Sequence, residues 1–577
     1  MSLEEARKLA YIAAAGNALK YGEARVNPVL GKILGAMPQL RSRAKEVRRL
    51  VEEVVAEVNQ LPKEELIKIA GRVKEKKRAK EERRWPELVN YSKYDRVVTR
   101  VAPEPNGYPT LGHAKGLLIP FIYARLYKGV FQLRFEDTNP RVERLEYYDA
   151  IRSEFAELLE ATSEELGIGP PKWDVEIIES NDLPVFYKLC RKLLEEGKAY
   201  VCTCSQEKVR ANRKLGLECE CRRRGVEENL ELWELMHTTL REGEAHVRLK
   251  TDMKHKNPTM RDPGIFRIIE AEHPIQGTKY RVYPTYDFSI SVEDSLTGVT
   301  HAFRSKEFEP HVEVQKTIIR YLGLREFEMI QFGRITVEGV PLSKRYIRPL
   351  IKSGILWGWD DPRIPTLRGL KRRGVSFRAL ARFIFEMGPS KVDAIVNMES
   401  IYALNRKILD PIAERYMFVP DPVKLVVEGS ELPEDAELPK HPSNPSLGTR
   451  RVKLWPKSGR LEVYVPSSDL KSLRAGERIR LWSLATIKLT SVMPDMAKGE
   501  LAEHQLGVPI VQWTPVEGCV PMEVVYPDSI FSYRVLSGFG DPGIRELKEG
   551  SIVQLLRVGF ARIDSHGRVT RGILAHR

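Results

Sequence analysis

"VAPEPNGYPTLGHAKG", Val101 to Gly116, decides how this chain is read. Pro103, Pro105, Gly107 and Pro109 precede a Gly112–His113 pair. A tight turn needs only one or two such residues. Upstream, "DRVVTRVAP" reads as a short β-rich strand. Downstream, "HAKGLLIPFIYARLYKG" reads as a helix, and "VFQLRFEDTNP", Val130 to Pro140, as a buried strand ending in turn residues. Strand, helix, strand at this spacing opens a parallel α/β sheet. Its first turn would aim free N–H groups outward at the carboxyl edge, where phosphates bind. Gly112 lets a base or ribose lie on the backbone, and His113 supplies a hydrogen-bond donor. A Gly-His pair alone reads as readily as a structural loop with a satisfied histidine.

A second stretch, "VPLSKR", Val340 to Arg345, falls at the expected end of a later sheet strand. Ser343 and Lys344 on such a loop can close on phosphates, Lys344 neutralising a charged phosphorus centre. The chain has no Walker-type G-x-x-x-x-G-K-[ST]. The literal G-x-G-x-x-G from Gly538 to Gly543 lies in a β-rich tail with no clear helix after it, and reads as a turn.

The remaining sequence frames these motifs. The chain has 577 residues, too many for one core. No apolar run approaches the ~18 residues of a membrane helix, and "MSLEEARKLAYIAAAGNALK" is a poor signal peptide; a cytoplasmic location is expected. A net charge of +14 favours a polyanionic partner, nucleic acid above all, although an ion-pair-rich surface suited to high temperature is compatible with it. Residues 1–92 read as a helical extension, with Val47, Leu50, Val51, Val54, Val55 and Val58 at helical spacing. The charge-dense run Arg72 to Trp85 reads as a solvated helix or linker. Residues 93–197 form the first half of a parallel-sheet core, 198–282 an insertion and 283–348 the second half, with "RVYPTYDFSISVEDSLTGVTHAFRSKEF" resuming a sheet-like pattern. Residues 349–415 read as helices, and 416–577 as short strands suited to all-β barrels.

Five of the six cysteines lie between Cys190 and Cys221. Cys202, Cys204, Cys219 and Cys221 form two C-x-C pairs. Brought together by a hairpin-like turn, they would offer four thiolates, a tetrahedral zinc set, against the alternative of reduced, partly buried cysteine couples. Cys190 and Cys519 read as core residues.

"APEPNGYPTLGHAKG" and "PLSKR" resemble the two signature motifs of class I aminoacyl-tRNA synthetases. "LRFEDTNP", "YPTYDFSISVEDSLTGVTH", "HAFRSKEF" and "GWDDPRIPTLRGLKRRG" resemble the glutamyl/glutaminyl branch. The likeness runs from about 96 to 400. It implies a multidomain α/β protein: a Rossmann-like core, an inserted acceptor-stem-binding domain, a helical connector and C-terminal barrels that bind an anticodon. It further implies ATP and Mg²⁺, a carboxylate attacking the α-phosphate, and transfer of the acyl group to tRNA. His113, Lys344 and Thr110 would be catalytic. Glu104, Pro105, Asn106, Thr110, Gly112, His113, Arg334, Ser343 and Lys344 would hold ATP. Two positions depart from the motifs: Thr110 stands for a first histidine and would still donate one hydrogen bond to a phosphate, and Pro341 stands for a first lysine.

For the amino acid, the resemblance points to Glu136 on the α-ammonium, Tyr286 lining the side-chain pocket, and Arg100 on the substrate carboxylates. Arg304 decides between substrates: a guanidinium pairs with a γ-carboxylate, and an amide matches it poorly. L-Glutamate and tRNA(Glu) are therefore expected, with charging of tRNA(Gln) and the oligomeric state left open. Some family members carry zinc in the insertion. The other readings are a glutaminyl-tRNA synthetase and a non-catalytic tRNA-binding relative.

Overall fold

The computed structural model describes residues 3–37, 40, 43–62, 64–66, 69, 85–505 and 507–577; the run from Arg72 to Arg84 lies outside them. Two units result, Met1–Pro86 and Glu87–Arg577. In the first, helices Leu3–Tyr21, Val26–Ala36 and Ala44–Asn59 bury one stripe each. Ala6, Ala10 and Ala14 meet Val29, Ile33, Val47, Val51, Val54 and Val58. Small residues on one helix against β-branched ones on the next let the axes approach closely.

The second unit begins earlier than residue 93. His301 Nε2 lies 2.9 Å from the Val89 carbonyl, and Asn90 donates to Glu328 at 2.8 Å. Its centre is a five-stranded parallel sheet of β1 (Val98–Val101), β2 (Val130–Phe135), β3 (Val175–Ile178), β8 (His301–Ser305) and β9 (Glu328–Phe332), in the order β3-β2-β1-β8-β9. All four pairings are parallel. Helix Leu111–Leu126 crosses from β1 to β2. It is buried nearly all round, as a helix inside an α/β core should be.

Between β3 and β8 the chain forms a four-stranded antiparallel sheet: β4 (Ala199–Cys202), β5 (His246–Leu249), β6 (Gly264–Ile268) and β7 (Val282–Pro284). Its core is shared with helices on either side: Phe186 and Leu193 before it, Phe288 and Val314 after it. The limits of 198 and 282 are therefore not limits of packing, and β7 closes this sheet rather than resuming the parallel one. The sheet-like reading after β7 changes too. Tyr286–Leu296 is a helix, buried at every position from Phe288 to Ser295. A segment covered on all sides carries no helical stripe.

Residues 349–415 are mostly helical, at Leu367–Arg373, Phe377–Met387 and Met398–Leu409. They also hold β11 (Ala394–Val396), which pairs in parallel with β10 (Ile335–Val337). The tail forms two barrel-like seven-stranded sheets. The sheet drawn from residues 422–515 is threaded between strands Phe418–Pro420 and Val520–Ser529 of the other, so one β module interrupts its neighbour. Gly538 and Gly540 of the G-x-G-x-x-G end a strand, and Gly543 lies in a 3-10 turn. A Cβ on Gly538 would sit 2.0 Å from the Val419 carbonyl oxygen, so these glycines serve strand pairing.

Candidate functional site

The three prolines of the opening stretch each anchor a different segment. The Pro103 carbonyl accepts from Glu136 N–H (3.1 Å), that of Pro105 from Arg144 N–H (3.2 Å) and that of Pro109 from Leu367 N–H (2.9 Å). Proline supplies an acceptor without a donor that would itself need a partner, and the three carbonyls hold the loop from three sides.

At the end of this loop Thr110 caps helix Leu111–Leu126. The His113 ring turns back, and its Nδ1 accepts from the Thr110 N–H at 3.2 Å. Burial, with Lys344 nearby, drops the imidazole to about 3, so it is neutral and its proton sits on Nε2. The Thr110 hydroxyl lies 2.9 Å from the same Nδ1 and donates to it. The Thr110 hydroxyl, expected to reach a phosphate, lies against the His113 ring.

Lys344 begins helix Lys344–Lys352, and its Nζ donates to Asn106 Oδ1 at 2.5 Å. Arg348, one turn later, donates to the Asn106 carbonyl at 2.7 Å. Asn106 in turn donates to Glu104. The two motifs are thus brought together across more than two hundred residues. Gly107 is what admits the lysine: a Cβ there would stand 2.7 Å from Lys344 Cδ. Burial lowers Lys344 to about 8, with Glu104 opposing the shift and Arg348 adding to it. Ser343 is exposed at the helix start, and Gly112 has only Thr110 Oγ1 near its missing Cβ. Arg334 is half exposed and faces Glu307 (3.3 Å) and Asp393 (3.9 Å).

Beside this site, three arginines from the neighbouring strands β2, β1 and β8 converge on Asp294. Arg100 pairs with it bidentately, Nε at 3.0 Å and Nη2 at 2.9 Å, and gives Nη1 to the Phe303 carbonyl. Its fork is therefore occupied, contrary to a role facing the substrate carboxylates. Arg304 gives only Nη2 to Asp294, at 2.7 Å; its Nε and Nη1 are buried without a partner. Glu136 follows β2, with an unpartnered Oε1 3.8 Å from Arg134 Nη2. Burial lifts Glu136 to about 7 against the pull of Arg134 and Arg100. Tyr286 packs on Phe308, ring centroids 4.8 Å apart, and burial, partly offset by Arg304, raises its hydroxyl pKa. Asp294 and Arg134 were not singled out from sequence. An arginine inside the apolar strand VFQLRF was the available signal.

The four cysteine sulfurs lie within 4.8 Å of one another. Cys202 and Cys219 are 3.9 Å apart, Cys204 and Cys221 3.8 Å. A tetrahedron with metal–sulfur bonds of ~2.3 Å has edges of ~3.8 Å, so this donor set fits a tetrahedral thiophilic ion. The link between the pairs is not hairpin-like: helix Gln206–Leu215 separates them, and the second pair sits at the start of a 3-10 turn, Glu220–Arg223. Cys190 is buried, whereas Cys519 is half-buried.

Cys204 also lines a cavity of about 1160 Å³. Arg141, Arg210, Arg213, Lys214, Arg261 and Arg267 line it, against the single acid Glu242. No helix among the described residues is long and apolar enough to cross a membrane.

Residues 96–411 match the family described as "tRNA synthetases class I (E and Q), catalytic domain". Residues 413–508 and 510–564 match two families described as the anti-codon binding domain of the same enzymes. A glutamate–tRNA ligase of Korarchaeum cryptofilum is 60% identical over 100% of both chains. One from Pyrococcus furiosus is 39% identical over 97% of each. The crystal structure of a glutamate tRNA ligase from Elizabethkingia meningosepticum is 15% identical, covering 55% of this chain and 70% of that one at a TM-score of 0.36. The match across the catalytic region and the full-length archaeal relatives establish that the chain belongs to the class I tRNA synthetases of the E and Q branch.

Proposed function

We propose that the chain joins glutamate to tRNA(Glu) at the expense of ATP, through a glutamyl-adenylate. Arg304 carries the choice of amino acid. Two of its nitrogens are buried without an acceptor, and a buried donor left unpaired costs about 1–3 kcal/mol or more when charged. A γ-carboxylate answers both; an amide would set its own N–H₂ against one of them. Glu136, ionised when an ammonium approaches, receives the α-amine, and Tyr286 walls the side chain.

The reaction is an in-line attack of the α-carboxylate on the α-phosphate, with pyrophosphate leaving. It needs positioning and charge more than a protein nucleophile. ATP lies along Glu104–Asn106, Gly112 and His113, whose Nε2–H faces the phosphates. Lys344 and Ser343 close from the other side, and Mg²⁺ arriving with ATP would supply further positive charge to the phosphates. Arg334 is left out of this set.

The tRNA 3′ end enters the basic cavity between the insertion and the core, where six cations to one acid suit a phosphate backbone. The cysteine cluster holds zinc, stiffening one wall of that cavity through Cys204. The two tail modules receive the anticodon. The test is Arg304→Ala. Leaving a substrate carboxylate unpaired costs ~3–5 kcal/mol. The ratio of kcat/KM for glutamate to that for glutamine should fall a hundredfold or more; an unchanged ratio removes Arg304 from this role.

A further inference from the structure

We propose that Asp294 is the positioning residue that sets amino-acid selectivity, by holding Arg304 in place and taking the fork of Arg100 out of competition for the substrate. The inference rests on the assignment of Arg304 above and goes beyond it. Asp294 touches no substrate in this account; it acts through its partners.

The geometry carries the argument. A single buried carboxylate on helix Tyr286–Leu296 meets guanidiniums from three adjacent strands. Asp294 and the Arg134 side chain are fully buried, and those of Arg100 and Arg304 are each 3% exposed. Arg100 spends both nitrogens of its fork on it. Arg304 spends one nitrogen on the same Oδ2 and keeps two unpaired. Arg134 also has nitrogens without a hydrogen-bond partner, but it is wholly buried among Asp294, Glu179, Glu136 and Glu293. Between Arg100 and Arg304 the division is unequal, and it leaves Arg304 as the one of the two that can receive a carboxylate. Burial alone would raise the Asp294 carboxyl, yet the three guanidiniums hold it below the usual carboxylate range. Glu136 and Glu293, also near Arg134, are pushed up to about 7 and about 8 by burial, and burial raises Glu179 beside them well above the usual range. Asp294 is thus the firmly ionised acid of the group at neutral pH.

Asp294→Asn replaces an acceptor oxygen with an N–H₂ group that faces guanidinium donors. Arg100 is then free to take a carboxylate in the wrong place, and Arg304 loses its tether. With tRNA present throughout, the KM for glutamate should rise by about tenfold or more. The KM for ATP should stay near wild type, and the glutamate-to-glutamine ratio should fall. In an Arg304→Ala background, Asp294→Asn should change that ratio no further, a result that loosened packing would not give. Asp294→Glu keeps the charge, displaced by one methylene, and should fall between wild type and the Asn variant in KM. If the Asn chain does not fold, the Glu variant carries the test, and a wild-type KM for glutamate in it overturns the inference. If Arg304→Ala lowers the ratio and Asp294→Asn does not, Asp294 is overturned alone. If Arg304→Ala leaves the ratio intact, the pocket assignment itself fails.

Discussion

Removing the Lys344 amine should slow adenylate formation far more than it weakens substrate binding. Lys344 Nζ stands against Asn106 of the proline-rich loop, from the start of helix Lys344–Lys352. A unit charge ~4 Å from charge developing on the α-phosphate, at an effective dielectric of ~20, is worth about 4 kcal/mol. At about 1.4 kcal/mol per decade, Lys344→Ala should lower kcat by two to three powers of ten. The amine is also a tether, so Asn106→Ala is the control. It removes the partner of Lys344 and leaves the charge, and should cost about tenfold or less. The assay is pyrophosphate exchange into ATP with tRNA and saturating glutamate, with kcat and the KM for ATP measured separately. A Lys344→Ala rate within about threefold of wild type refutes the electrostatic role. Equal losses in both variants would mean that the lysine acts only by holding Asn106.

Other outcomes follow from the same contacts. Gly107→Ala should lower kcat, because its Cβ displaces the Lys344 side chain, and should lower the melting temperature, because alanine rarely adopts the φ of +159° found there; a wild-type rate contradicts the close approach. Glu136, raised to about 7, loses its proton as pH rises, and Lys344, lowered to about 8, loses its charge as pH rises further. The profile of kcat/KM should therefore climb through about 7 and fall above about 8; a flat profile across that span contradicts both shifts. Protein purified without chelator should hold about one zinc per chain and lose it on Cys219→Ser. Metal-free protein of equal heat stability rejects the zinc.

Much of the core was legible because its signals are local. The proline-rich turn, the helix after it and the strand VFQLRF each announce themselves within a dozen residues. Lys344 and His113 were findable for the same reason. What escaped depends on distant partners. Helix Tyr286–Leu296 is buried on every face, so no stripe marks it. The pairing of β10 with β11 joins segments about sixty residues apart through three residues each. The threading of one tail sheet through the other is set by pairings no local pattern encodes. Asp294 stayed hidden because an aspartate in a helix usually faces water; only the convergence of three strands gives it meaning. Arg334, expected at the nucleotide from its motif neighbours, faces two acids, Glu307 and Asp393, that no local pattern marks.

The central claim, that this chain activates glutamate for tRNA, is tested most directly by one measurement. Purified protein is incubated with ATP, Mg²⁺ and isolated tRNA(Glu), with labelled glutamate in one series and labelled glutamine in the other; the same pair is repeated on tRNA(Gln). The account predicts labelled glutamate on tRNA(Glu), dependent on ATP and lost in Lys344→Ala, with little or no glutamine incorporated on either tRNA. Glutamine transferred in preference to glutamate, or tRNA bound without transfer of either amino acid, would contradict it.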